Sequence, residues 1–272
     1  MKPIGVFDSG YGGLTVLKEI VKILPEYDYM YLGDNARAPY GSRTFQIVYQ
    51  YTLQAVNWFF NHGCELVILA CNTASAKALR TIQQNNLPII APNKRVLGVI
   101  RPTSEVIKNF TQTKHIGILA TTGTVQSNSY VLEIEKFSPE IKIFQQACPM
   151  WVPLIENNEH LGKGADYFVK EYLNQLKKQS NKIDAVLPAC THYPLMLKKI
   201  KEYLPAGTKI IPQGEIVANS LKNYLQRHPE IETKCTKNKT LQFYTTDSPI
   251  DFNKKAGLFY GGEISSQHVS LS

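Results

Sequence analysis

Short apolar runs alternate with amphipathic stretches along most of the chain. IGVF (4–7), YMYL (29–32), LVILA (66–70), PII (88–90), IGILA (116–120), IKIF (141–144), AVLPA (185–189) and KII (209–211) predict strands. Between most of them, 13–24, 44–61, 74–84, 102–110, 125–136, 164–178, 195–203 and 214–226 carry helix-like spacing. This alternation predicts an α/β fold of βαβ units around mainly parallel sheets, whose strands read apolar throughout because helices cover both faces. Two proline-punctuated stretches, APNKRVLGVIRPT at 91–103 and PAGTKIIPQ at 205–213, are candidate crossing points between two sheets. If both are crossings, residues 1–97 and 211–272 build a first, discontinuous domain and 98–210 a second.

Composition narrows the class. With 272 residues, 43% hydrophobic and 19% charged, the chain has ample core and the balance of an ordinary soluble globular protein. No apolar run approaches the roughly 18–20 residues that cross a bilayer. The N-terminus, MKPIGVFDSG, reaches Asp8 too soon for a signal peptide, so a cytoplasmic location is expected. The net charge of +8 is scattered: Lys177–Lys178 and Lys198–Lys199 lie in separate helical stretches, and the run around Lys234, Lys237 and Lys239 has no aromatic within it. Solvated faces explain it better than a nucleic-acid stripe, and neither a nucleic acid nor a membrane is expected as a partner.

Five cysteines without a CxxC pair or Cys/His metal spacing argue against a disulfide framework and a metal site. Cys64, Cys148 and Cys235 read as structural or surface thiols. Cys71 in LVILACNTASA and Cys190 in AVLPACTHYPL differ by position. Each ends an apolar strand, follows an alanine and precedes short hydrogen-bonding residues. In parallel α/β sheets ligands bind beyond the carboxyl ends of strands, and a helix start there is expected to lower a thiol's pKa toward neutrality. A lone cysteine at such a lip is by default a small hydrophobe; two in matching settings favour function. One cysteine with His192 as base would suit hydrolysis. Two thiols on opposite faces of a carbon centre would suit proton removal and return with inversion.

The residues that carry this pattern resemble the glutamate racemases, within the cofactor-independent aspartate/glutamate racemase superfamily. The resemblance rests on FDSGYGGLTV (7–16), DNARAPYG (34–41), ILACNTASA (68–76), CPMWVPLIE (148–156) and ACTHYP (189–194), in the order and spacing of that family. It implies two α/β domains with the substrate in the cleft between them and one catalytic cysteine from each, Cys71 acting on D-glutamate and Cys190 on L-glutamate. Asp8 matches the acid associated with Cys71, and His192 the group associated with Cys190. Asp8, Ser9, Tyr40, Gly41, Asn72, Thr73, Thr191 and His192 match substrate-binding positions, and Glu156 matches an acid near the site. Backbone N–H groups at helix starts, with Ser, Thr and Asn side chains, also suit the two carboxylates of glutamate on their own chemistry. The resemblance further implies no cofactor, a role in supplying D-glutamate for peptidoglycan, and, since the family is often dimeric, room for a homodimer. The chain departs from the family in Ala189, where glycine is common before the second cysteine, and in Arg101, where an acid is common in a GVIEP-like stretch.

Read singly, several of these residues are unremarkable. Asp8 before Ser9-Gly10 could be a turn aspartate, His192 a satisfied core histidine, and Tyr40-Gly41 a turn. GYGG at 10–13 lacks the Walker Lys-Ser/Thr ending and the full GxGxxG spacing. Its glycines are better read as letting the first helix start close under a substrate. No lysine sits at a lip with a phosphate loop, so pyridoxal phosphate is not expected. An aspartate or other amino-acid racemase, a hydrolase using Cys190 and His192, and a binding module with inert thiols are the alternative readings.

Overall fold

The computed structural model describes residues 2–271. Its strands form two wholly parallel sheets. The first has β1 (Ile4–Asp8), β2 (Tyr29–Gly33), β3 (Leu66–Leu69), β4 (Arg95–Gly98), β9 (Leu241–Thr245) and β10 (Ser266–His268), in the order β10-β9-β2-β1-β3-β4. The second has β5 (His115–Ala120), β6 (Lys142–Ala147), β7 (Ala185–Ala189) and β8 (Lys209–Ile210), in the order β6-β5-β7-β8. β1, β2, β3 and β7 are buried along their whole length, which is why they read as unbroken apolar runs. The α/β class is as expected.

Both sheets reverse direction at their centre. From β1 the chain moves outward to β2 and returns on the other side with β3; from β5 it moves to β6 and returns with β7. Such a reversal leaves a crevice at the carboxyl ends of the two central strands, because the connecting helices diverge to opposite faces. The registers Phe7↔Leu69 and Ala120↔Ala189 bring Asp8 beside the turn that carries Cys71, and Thr121 beside Cys190.

Three local expectations need correction. PII at 88–90 lies in a helix, Leu87–Ile90, and Ile89 and Ile90 are exposed. A short apolar run does not by itself separate a strand from a helix. The stretch 91–103 is not a bare crossing: it holds β4 and the start of the helix Ile100–Val106. The last 45 residues contain two further strands of the first sheet, β9 and β10, and the helix Pro249–Tyr260. β9 alternates partly exposed with buried residues, so its apolar signal is weak. Among the described residues no helix is long and apolar enough to cross a membrane.

Candidate active site

Cys71 leaves β3 after Ala70 and caps the helix Asn72–Lys77, its Sγ accepting the Ala74 N–H at 3.4 Å. The thiol also lies 3.6 Å from Ser9 Oγ, in the turn that follows β1. Burial pushes the Cys71 thiol up to about 12, aided by the negative charge of Asp8; the Ala74 N–H and Ser9 hydroxyl oppose this and do not prevail. This reverses the expectation that the helix start would lower it. One N–H on a six-residue helix is a small dipole against full removal from water.

Cys190 follows β7 in the same way and opens the turn Cys190-Thr191-His192. That turn is tied to the first sheet's half of the molecule. Thr15 Oγ1 donates to the Thr191 carbonyl at 2.9 Å, and Thr191 Oγ1 donates to Asp8 Oδ1 at 3.3 Å. His192 Nε2 meets Glu156 Oε1 at 2.9 Å, and its ring meets that of Phe259 in a T-shaped contact. Burial works against a charged His192, but the Cys190 sulfur and the Glu156 carboxylate outweigh it and raise the ring to about 10. The imidazole is therefore held protonated at neutral pH.

Asp8 lies under both turns. Its Oδ2 accepts the Gly10 N–H at 3.0 Å, and the side chain is fully buried. Burial pushes its carboxyl up against the pull of the His192 charge and of the Gly13 and Gly10 N–H groups. The glycines of GYGG allow this packing: a Cβ on Gly13 would stand 2.5 Å from Asp8 Cβ, and one on Gly12 2.3 Å from Thr191 Oγ1.

A cavity of about 150 Å³ opens between the two crevices. Ser9, Tyr40, Gly41, Cys71, Asn72 and Thr73 line it from one side, and Cys190, Thr191, His192 and Glu156 from the other. Every sequence-predicted site residue except Asp8 is in this wall. The volume suits a small metabolite, being below the range of drug-sized pockets. Two members are already engaged. The Tyr40 hydroxyl donates to Asp34. Asn72 Nδ2 donates to Gln213 Oε1 at 2.8 Å while its Oδ1 accepts from Tyr130 at 2.6 Å. Thr73 Oγ1 reaches Thr121 Oγ1 at 2.9 Å, linking the two walls.

Sequence reasoning missed Thr121, Thr122, Cys148 and Val152, which also line the cavity. The signal for Thr121 was present: TTG follows the strand IGILA at the lip position that Cys190 occupies on β7. Cys148 belongs to the cavity wall and is not merely a structural thiol, although burial pushes it well up. Cys64 and Cys235 are buried away from the cavity and pushed up to about 12. All five cysteines are free. A larger hollow of about 590 Å³ holds Arg80, Arg101 and Tyr224 but no cysteine, so chemistry rather than size selects the site. Arg101 there pairs with Glu105 at 3.1 Å and does not line the cavity that holds both thiols. Among the described residues no cluster of His, Cys, Asp and Glu could hold a metal ion.

The sequence and fold are matched in known proteins. The chain is 34% identical to the glutamate racemase of Geobacter metallireducens, over 99% of this chain and 97% of that one. It is 36% identical to the enzyme of that name from Streptococcus suis, over 99% of each chain. Among solved structures, a glutamate racemase isoform of Bacillus anthracis superposes with a TM-score of 0.89 at 33% identity, covering 99% of this chain and 98% of that one. The glutamate racemase of Francisella tularensis in complex with D-glutamate gives 0.88, with the same identity and coverage. The family model for Asp/Glu/hydantoin racemases spans residues 4–221, from β1 through both cysteine turns, and the chain belongs to that family.

Proposed function

We propose that this protein is a glutamate racemase that interconverts L- and D-glutamate by two-base proton transfer at the α-carbon. The observation that carries the reading is that two thiols, from equivalent strand-end turns of two separate sheets, line one small cavity. In the L-to-D direction Cys190 removes the α-proton and Cys71 delivers one to the opposite face; the return reaction exchanges their roles. The resting site favours this start, since Cys71 is held as the thiol, the form that donates. The protonated His192 beside Cys190 balances negative charge on that sulfur, and Glu156 fixes the ring. Asp8 keeps the Cys190 turn in register through Thr191. Ser9, Thr73, Thr121 and Thr191, with N–H groups of the two turns, offer donors for the substrate carboxylates.

A Cys–His hydrolase would use one thiol, whereas here a second thiol, Cys71, lines the same cavity, which favours the racemase reading. Glutamate, rather than aspartate, follows from the relatives named above. We further propose that the reaction needs neither cofactor nor metal, that the two domains divide as 1–97 with 211–272 and 98–210, and that the product serves peptidoglycan synthesis in the cytoplasm. Purified, chelator-treated protein should carry the optical rotation of L-glutamate to zero without changing the amount of glutamate. Cys71→Ala and Cys190→Ala should each abolish this. Faster turnover of aspartate, or hydrolysis of an amide or ester, would overturn the proposal.

A further inference from the structure

Lys77 is the last residue of the short helix that Cys71 caps, and only 6% of it is exposed. Its Nζ donates to the Arg43 carbonyl at 2.5 Å and lies over the Phe45 ring at 5.2 Å. Among the described residues it pairs with no carboxylate, which is unusual for a buried lysine. The surroundings are tight. A Cβ on Gly123 would stand 2.7 Å from Nζ and 2.8 Å from the Gly41 carbonyl oxygen. Gly123 N in turn donates to that carbonyl at 2.8 Å. Three pieces of chain therefore meet at this ammonium: the loop through Gly41 and Ser42, the Cys71 helix, and the turn at Thr121–Gly123 from the other sheet. The loop and the turn are both walls of the cavity.

We propose that Lys77 is a positioning residue, whose bond to Arg43 clamps the Gly41–Ser42 loop onto the Cys71 helix and so holds the substrate-binding wall in place. The inference rests on the racemase reading for its kinetic consequence but not for the clamp itself. Lys77 touches neither thiol and stands at the far end of the helix from the cap, so capture of substrate depends on it more than proton transfer does. Among the described residues this is the side-chain bond that joins the helix to the loop's backbone at Arg43.

Kinetics and amide exchange on three variants test this. Lys77→Met keeps the stem and removes the donor; the KM for glutamate should rise about ten-fold with kcat within about two-fold, the loss of one charged hydrogen bond. Backbone amides at 41–44 should exchange faster while those of β1 and β7 keep their protection. Lys77→Gln retains a donor without the charge and should recover most of the KM and the protection. Lys77→Ala serves the same comparison if the Met variant does not fold. An unchanged KM, unchanged exchange at 41–44, or a Gln variant as impaired as the Met variant overturns the clamp. If the wild-type protein does not racemise glutamate, the functional reading falls, and exchange at 41–44 still decides the role of Lys77.

Discussion

Replacing Gly12 by Ala should disable the site while leaving the fold largely intact. The added methyl would stand 2.3 Å from Thr191 Oγ1, 2.5 Å from His192 Nδ1 and 2.8 Å from His192 Cε1. Comfortable contact begins near 3.5 Å, so the Cys190 turn or the first helix must retreat by about 1 Å. Neither moves freely, because Thr15 and Asp8 bind Thr191 from below and Glu156 holds His192 from above. Overpacking of this kind costs about 1–3 kcal/mol, which lowers the melting temperature by roughly 2–10 °C in a chain of this size. A displacement of about 1 Å at catalytic groups costs on the order of 100-fold in rate. Gly12→Ala should therefore lose about 100-fold in kcat/KM and still unfold cooperatively. Gly10→Ala, two residues away in the same motif, is the control. A methyl there meets nothing closer than Asn35 Nδ2 at 3.6 Å and should cost less than about three-fold. A circular-dichroism assay of glutamate racemisation reads both. Wild-type activity in Gly12→Ala, or equal damage from the two substitutions, would refute this packing of the first turn under Cys190–His192.

Glu156→Gln removes one of the two partners that keep His192 charged. It should lower kcat/KM by about ten-fold at neutral pH, and the alkaline limb of the pH–rate profile should shift to lower pH, since the ring then loses its proton sooner; an unshifted limb would detach Glu156 from the ring's charge. Asp28 is a structural counterpart. Its carboxylate accepts the Asn238 and Thr240 N–H groups at 3.0 and 2.9 Å, with the Asn238 and Thr240 side chains at 2.7 Å each. Burial disfavours its charge, but the Thr236 hydroxyl together with the Thr240 and Asn238 donors outweighs burial and holds the carboxyl well below its usual range. Its folded pKa lies below the unfolded value of about 3.9, so the stability it provides is complete above about pH 4 and drains away as pH falls from there. Asp28→Ala should cost about 3 kcal/mol by leaving two backbone donors unpaired. Denaturant titrations at pH 7 and pH 3 should find the variant's deficit smaller at the lower pH.

The sequence made the chemistry more legible than the architecture around it. Cys71 and Cys190 stood out because fully buried parallel strands leave an unbroken apolar run with a definite end, and the residue at that end is the one facing the crevice. The same logic applied to β5 would have found Thr121; a threonine after a strand carries no chemical alarm and passed unnoticed. Asp8 was legible as important but not as buried, since which oxygen reaches Gly10 or Thr191 depends on how the two halves meet. Local rules also misjudged the Cys71 thiol. The helix start is visible in the sequence, whereas the burial that dominates it depends on segments distant in the chain, such as those carrying Ser9 and Tyr40, folding over the thiol. β9 and β10 were hidden because an outlying strand with partly exposed residues carries little apolar signal, and PII misled because three apolar residues fit a turn of helix as well as a strand.

The central claim is that two thiols act on opposite faces of one carbon. Early-time racemisation in heavy water tests it most directly. Starting from L-glutamate, the base Cys190 would keep the abstracted proton while Cys71 delivers deuterium from solvent. The D product should then carry deuterium at the α-carbon from the first turnovers, and recovered L-glutamate scarcely any; D-glutamate as the starting material should give the mirror pattern. Substantial unlabelled product, or equal early labelling of both pools, would mean that one group serves both faces, and would contradict the roles proposed for Cys71 and Cys190.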